Sequence, residues 1–268
     1  MSTQLDQLFE KTRSENRAAL IAYIPAGYPT QEGCKAVIDA FADAGVDAIE
    51  IGFPYSDPVM DGPTIAEAAN TSLMAGTGAK EVFEALAYAT SRGIPSVVMT
   101  YWNPIEKYGA QKFADSIASN SGSGVITPDL PVDEAQPWKS ASQSSGINSI
   151  FVVAPSTTDK RLEKVTAQCS GFVYAASLMG VTGARSGISS GAKDLVQRIK
   201  KVTKVPVAVG LGVSTREHAK EVAAYADGVI VGSAFINALN SAGSLESGIK
   251  AVRTLVEQLA LGVREGRA

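Results

Sequence analysis

The strongest candidate for chemistry in this chain is a glutamate inside a short apolar run. Glu50 is flanked by Ile49 and Ile51, β-branched residues that favour a strand. Because strand side chains alternate between two faces, Glu50 shares one face with Ala48 and Gly52, and the isoleucines occupy the other. If helices cover the isoleucine face, Glu50 points into an apolar interior, where burial raises the pKa of its carboxyl group. Such a group can give and take a proton near neutral pH.

Each candidate for proton transfer also has a purely structural interpretation. Glu50 is alternatively a core carboxylate that is satisfied by a buried partner. Asp61, in the loop after the Glu50 run, can reach back over the end of that run, but a loop aspartate is more often a turn former. Tyr174, in the run 171–175, either donates a hydrogen bond at the same end or only packs there.

Three glycine-rich stretches follow the last three apolar runs of the chain. They cover residues 180–185, 210–214 and 232–235. Glycine lets backbone amides approach phosphate oxygens, and Ser233 is placed to begin a short helix, 234–240, whose amino end would add to the binding. Tight turns between strands and helices also need glycine. The three stretches together nevertheless predict a phosphate site.

The residue types that are missing narrow the chemistry further. No lysine falls within a predicted strand, which disfavours Schiff-base aldol chemistry, and the one histidine, His218, falls in a predicted surface helix. No cluster of His, Cys and carboxylates has the spacing of a transition-metal site. Proton transfer on a phosphorylated substrate therefore falls to the carboxylates, with Tyr174 as a weaker candidate.

These residues need strands to position them, and eight short runs qualify. The runs are rich in β-branched residues and apolar on both faces, which is typical of parallel strands that helices cover on the outside. The predicted strands are residues 18–24, 48–52, 96–100, 124–127, 148–153, 171–175, 206–210 and 228–232.

Amphipathic segments lie between the predicted strands. Ser214 and Glu217 form an S-x-x-E pattern that predicts a capping box at the start of one helix, and residues 2–16 predict an extra helix that plugs the lower end of a barrel. The other predicted helices are residues 30–44, 80–92, 111–119, 133–145, 159–169, 192–202, 215–225 and 244–261.

Strict alternation of strands and helices allows an open doubly wound sheet or a closed barrel. Eight units in 268 residues favour a (β/α)8 TIM barrel with an extra N-terminal helix. No linker or charge block divides the chain, so residues 1–268 are predicted to form a single domain. Active sites of such barrels lie at the carboxyl ends of the strands, where Glu50 and the glycine-rich loops are expected.

Composition excludes several classes of protein. A formal net charge of −3 gives no positive field for a nucleic acid or an anionic membrane. The chain has neither 18 consecutive apolar residues nor a signal-peptide pattern at its start. Cys34 and Cys169 fall in separate predicted helices, which suits free thiols in a reducing compartment. The expected location is the cytoplasm.

Residues 49–65 resemble the signature stretch of tryptophan synthase α subunits. Further matches to the same family run along the whole chain, and their combination is highly specific, whereas the glycine pattern alone fits many phosphate-binding barrels. These matches are residues 101–104, 108–109, 128–131, 153–155, 180–183, 209–213 and 231–233.

The resemblance implies a lyase that cleaves indole-3-glycerol phosphate to indole and glyceraldehyde 3-phosphate in a retro-aldol step. Glu50 would assist protonation of the indole ring carbon and removal of the side-chain hydroxyl proton. Asp61 would hydrogen-bond the indole N–H and stabilise the positive charge that ring protonation creates. Tyr174 would support them.

The resemblance also implies how the substrate is held. Tyr23 and Met99 would enclose the indole ring, although many family members have phenylalanine at the position of Tyr23. The sixth loop, about 177–191, would be a lid in which Thr182 reaches toward Asp61. Many members carry an arginine where this chain has Leu178 or Met179, and Arg185 is a candidate substitute for it. The residues expected to hold the phosphate are Gly183, Gly212, Gly232 and Ser233.

A partner follows from the same resemblance. It is a β subunit with pyridoxal phosphate that receives indole through a tunnel in an αββα assembly, so no cofactor is expected in this chain. Bulky Tyr101 and Trp102 lie next to the residues that match the contact, and they alternatively only close the barrel top. The matching residues are Pro54, Asp57, Asn103 and Pro104.

Two other functions are weighed against this one. Another phosphate-binding barrel, such as an isomerase or indole-glycerol-phosphate synthase, would be expected to show a strand-end lysine or a catalytic histidine. A non-catalytic barrel that only activates a partner should have lost Glu50 or Asp61, and both are present.

Overall fold

Eight parallel strands close into a barrel in which each strand pairs with the next one along the chain and β8 pairs with β1. The fold is seen in a computed structural model that describes residues 2–176, 190–210 and 212–267. It confirms the predicted (β/α)8 barrel and excludes the open sheet. The strands are β1 (Ala19–Pro25), β2 (Ala48–Gly52), β3 (Ser96–Met99), β4 (Gly124–Thr127), β5 (Asn148–Val153), β6 (Val173–Ala176), β7 (Val207–Gly210) and β8 (Gly228–Val231).

Helices cover the outside of the barrel. Among the described residues, none of them is both long and apolar enough to cross a membrane. The helices are α1 (Gln4–Ser14), α2 (Gln31–Ala44), α3 (Pro63–Met74), α4 (Ala79–Ser91), α5 (Trp102–Tyr108), α6 (Ala110–Ser119), α7 (Gln136–Ser144), α8 (Asp159–Thr166), α9 (Ser190–Val202), α10 (Arg216–Ala223), α11 (Ser233–Asn240) and α12 (Leu245–Glu265).

Two of these helices, α3 and α5, were not predicted from the sequence. Both follow the loops that carry candidate site residues. Helix α3 begins at Pro63, which is tolerated in a first helical turn because the missing amide has no partner there. Helix α5 is only seven residues long and has Pro104 in its first turn. Helix α3 is weakly amphipathic and α5 is short, and with proline near their starts both resemble loops in the sequence.

The N-cap predicted for α10 is wrong by one residue. The N-cap of α10 is Thr215, whose hydroxyl accepts a hydrogen bond from the His218 amide at 3.2 Å, and not Ser214. Glu217 therefore lies one position too early to complete a capping box with the N-cap. Serine and threonine cap helices almost equally well, so adjacent residues of these types leave the helix start ambiguous in the sequence.

The N-terminal helix α1 closes the lower end of the barrel, as predicted. Leu5, Leu8 and Phe9 pack into the same apolar cluster as the inward side chains of the strands, including Phe172. At the start of β5, the Asn148 amide donates a hydrogen bond to the Thr3 hydroxyl at 2.9 Å. The barrel is thereby sealed at this end, and its mouth is the opposite end.

Alternation along β2 follows the expected pattern. Ile49 and Ile51 belong to the outer core between strands and helices, whereas Ala48 belongs to the inner cluster of the barrel. Glu50, which is offset by two residues from Ala48, points inward as predicted. The fold thus places a carboxyl group inside an apolar barrel.

Candidate active site

Glu50 lies on the inner wall of the barrel, between two neighbouring strands. In the strand register it is opposite Tyr23 of β1 on one side and Val97 of β3 on the other. Its side chain is 1% exposed, and neither carboxyl oxygen has a hydrogen-bond partner among the described residues. This argues against a structural carboxylate, because buried charges that serve stability are paired.

The surroundings of Glu50 favour its protonated form. Burial raises the pKa of this carboxyl to about 8, and the negative charge of Asp61 contributes to the increase. The group is therefore largely protonated at pH 7, and it can release its proton without a large cost. These are the properties of a general acid that must later act as a base.

Asp61 lies in the loop between β2 and α3 and is turned toward the barrel mouth. Its charge raises the pKa values of Glu50, Tyr23 and Tyr174, which come from three different strands. Burial raises the pKa of Asp61 itself, and a hydrogen bond with Tyr101 opposes that increase. The fold therefore brings together the two carboxyl groups that the sequence singled out. Asp61 does more here than form a turn.

Two inward tyrosines, Tyr23 and Tyr174, flank the carboxyl pair. The hydroxyl of Tyr23 lies against Gly52 at the end of β2, and that of Tyr174 lies against Gly210 at the end of β7. A Cβ atom at either glycine would overlap the hydroxyl. Burial and the nearby carboxylates hold both phenol pKa values well above their usual range. Both tyrosines are therefore neutral hydrogen-bond donors at the mouth.

Tyr23 and Met99, which are predicted to enclose the indole ring, both lie beside Gly52 at the end of β2. Met99 is the last residue of β3, lies opposite Gly52 in the register, and is half-buried. The ring of Tyr23 leans on Gly232, where a Cβ atom would be 3.1 Å from the ring. Tyr23 thus extends from the β2 end, which carries the carboxyl groups, to the β8 end, which carries the predicted phosphate loop.

The predicted phosphate residues that the structure describes lie at the ends of β7 and β8. Gly232 is the N-cap of α11 and Ser233 its first residue, and no side chain caps this helix start. The first amides of α11 are thus available to an anion. Gly212 has a φ of +72°, which favours glycine over any other residue at that point.

Several predicted residues lie outside the described part of the chain. They are Gly183, expected at the phosphate, Thr182, expected to reach Asp61, and Leu178, Met179 and Arg185, which concern the anchoring of the lid. Only the end of the predicted lid, from residue 190, falls within the described ranges.

The predicted partner contacts lie on the two loops after β2 and β3. Asp57 is exposed, Asn103 and Pro104 are half-buried, and Pro54 is buried. The Asn103 amide donates a hydrogen bond to the Tyr55 hydroxyl at 3.1 Å and so joins the two loops. Pro54 supports the loop rather than offering a surface, whereas Asp57, Asn103 and Pro104 remain accessible at the rim.

Tyr101 is a site residue whose role the sequence did not show. Its side chain is 4% exposed, so it does help to fill the top of the barrel. Its hydroxyl also accepts a hydrogen bond from the Met60 amide at 3.1 Å, next to Asp61. The available signal was its position two residues after a strand end. That position does not reveal a bond to Met60, 41 positions earlier in the chain.

Histidine, metal ligands and cations are the other groups that could take part in chemistry. His218 lies on α10, which packs against β8 and α12 in the outer layer, in agreement with the surface helix predicted for it. Within the described ranges, no three or more His, Cys, Asp or Glu side chains form a group that could hold a metal ion. No Lys or Arg among the described residues contributes to the pKa shifts of Glu50 or Asp61.

Comparison with known proteins gives one consistent family. The model of the family described as tryptophan synthase alpha chain matches residues 9–264. The tryptophan synthase alpha chain of Mycobacterium ulcerans is 48% identical over 267 residues, covering 100% of this chain and 97% of the relative. That of Salinispora arenicola is 51% identical over 256 residues, covering 96% of each. A structure of Mycobacterium tuberculosis tryptophan synthase has a TM-score of 0.91 at 47% identity, covering 98% of this chain and 99% of that one.

Proposed function

The chain belongs to the tryptophan synthase alpha chain family, whose members are lyases that cleave indole-3-glycerol phosphate, and we propose that Glu50 and Asp61 perform this cleavage here. The observation that carries the proposal is the pair of unpartnered oxygens on the buried Glu50 carboxyl, beside the charge of Asp61. A group that is buried, unpaired and largely protonated at neutral pH costs stability and is therefore best explained by chemistry.

Glu50 begins the reaction as the acid. Its proton goes to the indole ring carbon that bears the glycerol phosphate chain, and the ring becomes positively charged. The Glu50 carboxylate then accepts the proton of the adjacent side-chain hydroxyl while the carbon–carbon bond breaks. The electron pair of the broken carbon–carbon bond goes to the ring and neutralises its positive charge. Indole and glyceraldehyde 3-phosphate then leave, and Glu50 is again protonated. One residue thus serves both proton transfers, with no net change in protons.

Asp61 acts on the opposite side of the indole ring. As a carboxylate, it accepts a hydrogen bond from the indole N–H and stabilises the charge that protonation places on the ring. The division of labour requires Glu50 to hold a proton while Asp61 does not. The charge of Asp61, which raises the pKa of Glu50, favours that division. Tyr174, a neutral phenol at the same mouth, would donate a hydrogen bond in a supporting role.

The phosphate group would bind at the far side of the mouth. The uncapped amino end of α11, with Gly232 and Ser233, supplies amides, and Gly212 allows the neighbouring loop to approach. Gly183 is proposed to join them. Since the carboxyl groups come from the second βα unit and the phosphate site from the last units, we propose residues 1–268 as one functional domain.

Indole would leave toward a β subunit that holds pyridoxal phosphate, in an αββα assembly. The similar Mycobacterium tuberculosis structure is of tryptophan synthase, which supports association with such a partner. Asp57, Asn103 and Pro104 at the rim are the proposed contacts, with Pro54 supporting them from beneath. Both cysteines are free thiols, consistent with a reducing compartment, and we propose the cytoplasm as the location.

The test is indole release from indole-3-glycerol phosphate, measured with and without a cognate β subunit. We expect release by the wild-type chain, faster with the β subunit, and near-complete loss for Glu50→Gln. No indole from the wild-type chain under either condition would overturn the proposed reaction. Ordinary turnover by folded Glu50→Gln would overturn the role of Glu50 alone.

A further inference from the structure

A hydrogen bond joins the loop that carries Asp61 to the end of the neighbouring strand. The Tyr101 hydroxyl, just beyond β3, accepts a hydrogen bond from the backbone amide of Met60 at 3.1 Å. Met60 directly precedes Asp61 and is 44% exposed. Val59, the residue before it, is 74% exposed. The Asp61 loop therefore has little apolar packing of its own at this point, and the bond to Tyr101 helps fix its course.

The same hydroxyl also influences the pKa of the Asp61 carboxyl. A phenol has one proton to donate and lone pairs to accept with, and the Met60 amide occupies a lone pair. The proton remains for the Asp61 carboxylate, and this hydrogen bond opposes the effect of burial on the pKa of Asp61. The oxygen that is bonded to the backbone before Asp61 is thus also the group that lowers the pKa of the Asp61 carboxyl against the effect of burial.

The position of the Tyr101 ring is itself fixed from several sides. The ring packs on Tyr55 with centroids 5.2 Å apart and planes tilted by 33°. The Tyr55 hydroxyl is held by Asn103, and the amide after Tyr101, that of Trp102, donates a hydrogen bond to Asp129 at 2.9 Å. A donor that is held in this way loses little entropy when it bonds, which is the requirement for preorganising a catalytic group.

We propose that Tyr101 is a positioning residue for the lyase reaction, holding the Asp61 carboxylate at the barrel mouth through its hydroxyl. This inference rests on the proposed function, because it assigns Tyr101 a role only if Asp61 stabilises the charged indole ring. Tyr101 is not expected to exchange a proton with substrate. Its contribution is to keep Asp61 directed at the indole N–H and ionised.

The groups around Asp61 explain why such a donor is needed. The titratable groups that face it are Glu50 from β2, Tyr23 from β1, Tyr174 from β6 and Tyr101 itself. None of them is a cation, and in the described part of the chain no lysine or arginine influences the pKa of Asp61. Burial alone would push Asp61 toward protonation. The Tyr101 hydrogen bond counteracts it.

The experiment compares Tyr101→Phe with the wild-type chain, with Tyr88→Phe as matched control. Tyr88 donates to the Asp39 carboxylate at 2.9 Å on the outer helices, so its variant removes a phenol–carboxylate hydrogen bond away from the mouth. For Tyr101→Phe we expect kcat to fall about 10-fold, as for loss of one hydrogen bond to a charged group, with a smaller change in KM. Because Tyr101 lowers the pKa of Asp61, its loss should raise that pKa, and the acid limb of the pH profile of kcat should move to higher pH. Tyr88→Phe should change neither.

A second variant tests whether Tyr101 acts through Asp61. In an Asp61→Asn background, measured by single turnover at high enzyme concentration, Tyr101→Phe should have almost no further effect. Fully additive losses would overturn the inference, as would an unshifted acid limb in Tyr101→Phe. Loss of folding of Tyr101→Phe in circular dichroism would assign the hydroxyl to stability instead and equally overturn it. Absence of wild-type activity would instead contradict the proposed function.

Discussion

The two ends of the barrel differ in how their carboxylates are paired: a half-buried aspartate at the lower end is surrounded by donors, whereas the buried Glu50 at the mouth is not. At the lower end, Asp227 accepts hydrogen bonds from the Val207 amide at 3.0 Å, from Lys200 at 3.0 Å and from Arg267 at 2.9 Å. Burial acts to raise the pKa of Asp227, but these three donors outweigh it and lower the pKa. At the mouth, Glu50 has no such donor among the described residues, and burial raises its pKa to about 8.

A second carboxylate at the lower end repeats the stabilising pattern. Asp47, just before β2, receives two hydrogen bonds of 2.9 Å from the Arg17 guanidinium and one of 2.8 Å from the Leu20 amide. Asp47 and Glu50 are only three residues apart, yet one is saturated with donors and the other has none in the described structure. The half-buried carboxylates at the lower end are thus paired with donors, whereas the fully buried carboxyl at the mouth has none in the described structure.

The largest expected effect is on turnover at the mouth. Glu50→Gln keeps the shape of the side chain and removes its acidic proton, so the rate of indole release should fall about 10²–10⁴-fold. Asp227→Asn at the lower end should leave the rate per folded molecule unchanged. Steady-state kinetics measures both variants. Loss of activity in both, or in neither, would contradict the assignment of chemistry to the mouth and stability to the lower end.

The next largest effect is on stability, and here Asp227→Asn should be the affected variant and Glu50→Gln the unaffected one. Asp227→Asn weakens bonds to Lys200, Arg267 and the Val207 amide, and we expect a loss of roughly 1–3 kcal/mol in the free energy of unfolding. Glu50→Gln replaces an unpartnered carboxyl and should be at least as stable as the wild-type chain at pH 7. Urea denaturation monitored by circular dichroism measures both. A strongly destabilised Glu50→Gln protein would indicate that Glu50 has a structural partner after all.

A smaller effect is on the pH dependence of stability, which should differ in sign between the carboxyl groups at the two ends. The pKa of Asp227 is lowered on folding, so its contribution to stability is present above its unfolded pKa and is lost as the pH falls through the folded value. The pKa of Glu50 is raised on folding from 4.5 to about 8. Its contribution is complete below about 4.5 and is lost as the pH rises toward about 8.

Unfolding curves between pH 4.5 and 8 can resolve this contrast. We expect Glu50→Gln to gain stability relative to the wild-type chain as the pH rises across that window. A constant difference between the two proteins over the window would contradict the raised pKa of Glu50.

Much of the fold and part of the site could be predicted from local sequence patterns. Alternation in β2 was sufficient to point Glu50 inward, and the repeated apolar runs gave eight strands with ends displaced by at most two residues. Helices α3 and α5 were missed because proline and weak amphipathicity make them look like loops. Local periodicity identifies elements that have one apolar face; α3 barely has one, and α5 is too short to show one.

The site beyond Glu50 depended on contacts that no local pattern encodes. Asp61 is a loop residue, and only the family resemblance paired it with Glu50 before the structure did. Tyr101 and Met60 are joined across two loops by a single bond, which depends on how β2 and β3 lie side by side. Tyr23 and Gly52 likewise share a contact that requires both strands to be in register.

The protonation state of Glu50 tests the central claim most directly. Isotope-edited infrared difference spectroscopy on the wild-type chain, with Glu50→Gln as reference, can follow this one carboxyl through a pH titration. We predict a protonated carboxyl signal at pH 7 that is absent from the variant and titrates near pH 8. A signal that titrates below pH 5 would show that Glu50 is an ordinary ionised carboxylate, and it would contradict the account of its chemistry.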